Sequence, residues 1–112
     1  MYHIEVDTRT RVLKLFKDGT FVKKYPVAVG KPSTPTPLGN WIITNKGLWG
    51  GQFGGHFIQL SVPWGIYGIH GTDMPWSISH VVSHGCIRMY SGDAKELYDM
   101  IPVGTKVHIY RS

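Results

Sequence analysis

Apolar and polar residues alternate in YHIEVD (residues 2–7), in RVLKLF (11–16) and, with lapses, in TFVKKYPVAVG (20–30). That two-residue period is the mark of half-buried strands. Turn residues separate these runs: Thr8-Arg9-Thr10, then Asp18-Gly19. Asp-Gly between two strand patterns predicts a hairpin, because both central residues of a type I′ turn need positive φ. KPSTPTPLG carries Pro32, Pro35 and Pro37 and reads as a loop, since proline has no N–H for a ladder. NWIIT, HFIQLSV and GIYGIHG read as further strands, and KVHIY as the last one. One stretch changes period. Ala94, Leu97, Tyr98 and Ile101 fall at i, i+3, i+4 and i+7, one apolar helical face. Asp93 and Glu96 match a capping box at its start, and Pro102 and Gly104 stop it. A second, short helix is expected over Pro75 to Val81. The expected fold is mainly β, with one helix near the C-terminus.

The length of 112 residues predicts one domain over residues 1–112. Hydrophobic residues at 42% suffice for a core and argue against wholesale disorder. No apolar run approaches the roughly 20 residues of a spanning helix. MYHIEVDTRTRV has no apolar stretch of the kind a secretory leader carries. The net charge is +5, from 12 Lys and Arg against 7 Asp and Glu. Arg9, Arg11, Lys14, Lys17, Lys23 and Lys24 are scattered along strands rather than massed. They fit a solvated sheet face, or a mild attraction to an anionic polymer, and not a nucleic-acid site.

KGLWGGQFGG (46–55) lacks the Lys-Ser/Thr ending and the following helix of a phosphate loop. A loop that carries aromatic contacts fits it better. Trp49, Phe53 and Trp64 are candidates to line a binding cleft, with core packing the alternative.

The chain has a single cysteine, in SHGCIRM (83–89), so no internal disulfide is available. Three readings of Cys86 stand: a small buried hydrophobe, a metal ligand, or a nucleophile. A zinc site from His70, His84 and Cys86 has suitable ligand types but neither CxxC nor HExxH spacing. A nucleophile has to be converted to thiolate, which a nearby imidazolium favours; two pKa units correspond to about 2.7 kcal/mol. If residues 84–86 are extended, His84 and Cys86 share a face. His70 ends a predicted strand, and the carbonyl of Gly71 behind it is placed to hold one ring nitrogen. Gly85 marks a tight turn whose N–H groups would face a developing oxyanion.

IHGT (69–72) followed by SHGCIRM resembles the signature of L,D-transpeptidase catalytic domains of the YkuD type. The likeness extends through YPVAVGKPSTPTPLGNWIIT and DAKELYDMIPVGTKVHIY, so it covers essentially the whole chain. It implies a β-sandwich with the cysteine in a cleft. It implies that Cys86 is the nucleophile and His70 its base, oriented by Gly71. Amides around His84, Gly85 and Cys86 would form the oxyanion hole, with Ser83 as scaffold and Arg88 ordering the site or receiving a carboxylate. The implied reaction releases D-Ala from a peptidoglycan tetrapeptide through a thioester and gives the acyl group to a neighbouring stem-peptide amine, making a 3→3 crosslink. No cofactor, metal or nucleic acid is implied, and the implied place is the cell envelope or wall, that of a spore included. Competing readings are an L,D-carboxypeptidase with water as acceptor, a wall-binding module with a dead site, and a zinc hydrolase.

Overall fold

A computed structural model describes all residues, 1–112. Strands β1 (Tyr2–Asp7), β2 (Val12–Lys17) and β3 (Thr20–Gly30) form where alternation predicts them. The β2–β3 hairpin turns at Asp18 and Gly19, with φ of 51° and 80°, the type I′ signature. β4 (Gly39–Gly47), β5 (Phe57–Leu60), β6 (Gly68–His70), β7 (Val81–Ser83), β8 (Ile87–Met89) and β9 (Lys106–Tyr110) complete the strands.

Two long strands change partners part-way. β3 pairs with β2 as far as Pro26, then with β8 and β7. Pro26 stands at the hand-over, where a strand tolerates a residue that cannot donate to a ladder. β4 pairs with β9 through Ile42 and with β5 from Ile43 onward. The order is β2-β1-β9-β4-β5-β6-β8-β3-β7, and the additional β2–β3 pairing joins the sheet back on itself. Ile4, Val6, Leu13, Leu15, Val107 and Ile109 from one layer meet Ile58, Leu60, Ile69, Ile87 and Met89 from the other in one core. The expectation of a mainly β fold with a C-terminal helix holds.

Three local expectations need correction. Helix α1 (Ser91–Met100) begins two residues before Asp93, with Tyr90 as a cap that offers no side-chain hydrogen bond. The capping box is absent because Glu96 turns outward instead, accepting from Tyr25 Oη at 2.6 Å and Lys23 Nζ at 2.7 Å. Asp93 still lies in the first turn, where a carboxylate suits the positive helix end. The second helix shrinks to a 3₁₀ turn at Pro75–Ser77. Val81–Ser83 is instead a strand, drawn into the ladder of β3. GIYGIHG forms a strand only from Gly68 on.

Asp7 ties the two chain ends together. Its Oδ1 accepts N–H groups from Arg9 at 2.9 Å and Ser112 at 3.2 Å. Burial opposes ionisation, but hydrogen bonds from Ser112, Arg9 and Thr10 outweigh it and hold the carboxyl far below its ordinary value of 3.8. A depressed carboxyl contributes stability above its unfolded pKa and loses it as pH falls toward the folded one. Asp7→Asn is therefore expected to cost about 1–2 kcal/mol at pH 7. The gap to the parent should narrow in urea melts as the pH drops below 3.8. A constant gap down to pH 2 would assign the loss to packing instead.

Candidate functional site

The site forms where β6 and β8 run side by side. They pair in parallel, with Ile69 opposite Ile87 and His70 opposite Arg88. Since Ile69 and Ile87 face the core, alternation puts His70, Cys86 and Arg88 on the other face. Phe57, opposite His70 on β5, joins them. A pocket of about 160 Å³ opens there, lined by Gln52, Phe53, His70, Met74, Ser83, His84, Cys86 and Arg88. The largest groove, about 640 Å³, lies elsewhere, between the N-terminus and the end of α1. It has Lys17, Lys46 and Asp99 on its walls but neither a cysteine nor a histidine, so the smaller pocket is the one that holds the candidate reactive residues.

Residues 84–86 are a turn, not an extended segment. β7 and β8 lie on either side of β3, so the link between them must cross the end of that strand. The Ser83 carbonyl meets Lys31 N–H at 3.1 Å and Thr34 Oγ1 at 2.9 Å at this crossing. Gly85 takes φ of +119°, and a Cβ there would stand 2.5 Å from the Tyr67 ring. The inference that His84 and Cys86 share an extended face therefore fails; His84 sits exposed on the turn.

Ser83 locks this turn. Its Oγ donates to the Cys86 carbonyl at 2.6 Å and accepts from Gly85 N–H at 3.1 Å. Gly85 N–H is thus already occupied. The amides of His84 and Cys86 have no acceptor within the protein, so those two N–H groups are free to meet a ligand oxygen.

His70 is 4% exposed. Its Nδ1 donates to the Gly71 carbonyl, which leaves Nε2 as the nitrogen free to take a proton. Gly54, at φ of +61°, lets the glycine-rich loop touch this strand end; a Cβ there would stand 2.6 Å from Thr72 N and 2.7 Å from the Gly71 carbonyl carbon. Ser91 Oγ, at the start of α1, donates to the Thr72 carbonyl at 3.1 Å.

Burial acts on both side chains. Burial pushes the Cys86 thiol above its ordinary value of 9.0, against a Gly68 N–H and the Arg88 cation. Burial likewise pulls His70 below 6.5, although its bond to Gly71 opposes this, and Arg88 adds to the fall. Burial thus favours the uncharged form of both side chains. No carboxylate is ion-paired with Arg88.

The aromatic candidates separate. Phe53 lines the pocket. Trp49 stands behind it, stacked on Phe57 at 4.1 Å between centroids. Trp64 is not in the pocket; it packs edge-on to Trp41 and walls a neighbouring groove with Pro35, Pro37 and Tyr67. His84 borders both pockets. Gln52, Met74 and Phe57 went unnoticed in the sequence. Only Phe57 left a signal, since alternation in HFIQLSV places it opposite to Ile58. His70, His84 and Cys86 form no three-ligand cluster. No helix is long and apolar enough to cross a membrane.

The family model for the YkuD L,D-transpeptidase catalytic domain matches residues 1–109. This chain belongs to that family. It is 46% identical over 109 residues to "Putative L,D-transpeptidase YkuD" of Bacillus licheniformis and 45% identical over 111 residues to the protein of the same name in Bacillus subtilis. Those alignments cover 96% and 98% of this chain but only 65% and 66% of the relatives. An L,D-transpeptidase from Mycobacterium smegmatis superposes with a TM-score of 0.86 at 23% identity, over 97% of this chain and 58% of the other. That likeness speaks for the fold.

Proposed function

We propose that residues 1–112 are a catalytic domain that joins peptidoglycan stem peptides by 3→3 transpeptidation, with Cys86 as nucleophile. The observation that carries the reading is the convergence in one pocket of Cys86, a buried His70 with Nδ1 committed to Gly71, and the free amides of His84 and Cys86. Membership of an L,D-transpeptidase family supports peptidoglycan as the substrate and the cell wall as the place of action.

The donor is a tetrapeptide stem. As Cys86 Sγ attacks the carbonyl carbon of the third residue, His70 Nε2 takes the thiol proton. The carbonyl oxygen gathers the charge and meets the two amides. His70 returns the proton to the leaving nitrogen, the C–N bond breaks, and D-Ala departs. The acyl group is now a thioester on Cys86. A side-chain amine from a second stem peptide attacks it, His70 accepts the amine's proton, and that proton restores the thiol as the C–S bond breaks. Atoms balance without a cofactor. Arg88, lacking a carboxylate partner in its own chain, receives a carboxylate of a stem peptide. Phe53 contacts the substrate from the glycine-rich loop.

The test is intact-protein mass together with product analysis after mixing with a disaccharide-tetrapeptide. A transient adduct on Cys86, loss of D-Ala and a 3→3 dimer are expected. An adduct with only tripeptide released would make the domain a carboxypeptidase. Neither adduct nor D-Ala loss would overturn the reading in favour of a wall-binding module.

A further inference from the structure

The catalytic histidine sits at the end of a column of rings. Trp49 stacks on Phe57 at 4.1 Å with 11° between planes, and Phe57 stacks on His70 at 5.6 Å with 12°. Phe53 stands across all three. Its ring lies 5.1 Å from Trp49, 5.6 Å from Phe57 and 5.0 Å from His70, at 84°, 85° and 76° respectively. Three parallel rings and one perpendicular ring fix the plane of the imidazole, and within that plane the bond from Nδ1 to the Gly71 carbonyl selects one of the two flipped positions.

From this we infer that Phe53 and Phe57 are positioning residues for the His70 imidazole, fixing the plane in which Nδ1 meets the Gly71 carbonyl and Nε2 is left to the pocket that Cys86 also lines. The inference deepens the reading of His70 as the base and rests on it.

Two further observations point the same way. Neighbouring groups alone do not hold His70 in one tautomer. The titratable or charged side chains beside it in the pocket are Arg88 from β8, and Cys86 and His84 from the turn. None is a carboxylate, so the only acceptor fixing Nδ1–H is the Gly71 carbonyl. A single hydrogen bond leaves the ring free to swing about it, and the rings remove that freedom. The loop that carries Phe53 is also seated with unusual closeness. Gly54 follows Phe53 directly, and its left-handed backbone rests against Gly71 and Thr72. The same contact that docks the loop therefore sets the height of the Phe53 ring over the histidine. These rings add to the burial that favours the neutral imidazole, the form a base needs near neutral pH.

A positioning role predicts more than a loss of stability. Phe53 is only partly buried, so Phe53→Leu should fold, while Phe53→Tyr keeps a ring and serves as rescue. Phe57 is 2% exposed, and its replacement risks the core. Nitrogen-15 NMR of the His70 ring reads tautomer and pKa directly, and iodoacetamide alkylation of Cys86 reads the base. In Phe53→Leu the expected results are a mixed tautomer, a His70 titration moved back toward 6.5 and neutral-pH alkylation slowed roughly tenfold, with Phe53→Tyr close to the parent. A Phe53→Leu protein with the parental tautomer and alkylation profile overturns the inference, whatever its melting temperature. If His70→Ala also leaves alkylation unchanged, the reading of His70 as base has failed too. If His70→Ala slows it and Phe53→Leu does not, only the positioning role is lost.

Discussion

Cys86→Ala is expected to lower turnover of a tetrapeptide donor by 10⁴-fold or more, on the order seen when a covalent nucleophile is removed. Its melting transition should stay close to the parent's. Both halves follow from where the residue sits. The side chain points into an open pocket rather than the core, so losing the thiol removes few packed contacts, and the cost should stay within about 1 kcal/mol. The backbone of the turn does not depend on the sulfur. Ser83 Oγ holds the Cys86 carbonyl and the Gly85 N–H, and alanine preserves both bonds. The oxyanion amides therefore remain in place, and the variant should still bind donor. Measuring donor binding by calorimetry and D-Ala release by mass separates the effects. Retained D-Ala release would rule out the thioester route. Lost binding together with a lowered melting temperature would show instead that the thiol is structural.

His70→Ala is expected to lower kcat/KM by 10²–10⁴-fold, with a change in pH dependence that identifies the cause. In the parent, burial favours the neutral imidazole, so activity should persist on the acid side of 6.5 before the base protonates. Burial also raises the thiol above 9.0, so very little thiolate exists at pH 7. Without the imidazole, alkylation of Cys86 should follow thiolate concentration alone and climb with pH past 9. The parent should react faster at neutral pH, because the base accepts the proton during attack. Stability carries a linked sign. A histidine with a folded pKa below its unfolded value binds fewer protons when folded, so the parent should lose stability as pH falls below 6.5. His70→Ala should lose less over that range. Matching alkylation profiles for parent and variant would transfer the role to His84.

Much of this site was legible in the residue string for a chemical reason. Reactive residue types are few, and Cys86 is the only cysteine. A histidine before a glycine at a strand end, and a glycine before a cysteine, announce backbone shapes that ordinary packing seldom demands. Three features were not legible. The burial of His70 depends on Phe53 and Phe57, which come from other elements. The occupation of Gly85 N–H by Ser83 Oγ depends on a turn that forms only because β7 and β8 straddle β3. Trp49 and Trp64 looked alike in the sequence, yet one stacks behind the site and the other walls a separate groove.

The fold divides the same way. Alternation and turn residues determined β1, β2, β3, β9 and the hairpin at Asp18-Gly19, because these are local preferences of a chain with one buried face. Helix α1 was evident from its apolar spacing, but its first residue was not. Glu96 found Tyr25 and Lys23, distant partners more favourable than the local cap. Strand β6 was read within GIYGIHG but with too long a span, while β7 and β8, three residues each, have too few positions to display a period. They are strands only because a neighbour supplies the ladder. The sequence alone determined which residues can do the chemistry and which segments can form strands. The tertiary structure decided that β6 and β8 lie parallel and adjacent, with His70 beside Arg88. It thereby brought the Cys86 thiol and the His70 imidazole into one pocket, where burial disfavours the charged form of each. Pairing and burial are long-range properties, and no local pattern encodes them.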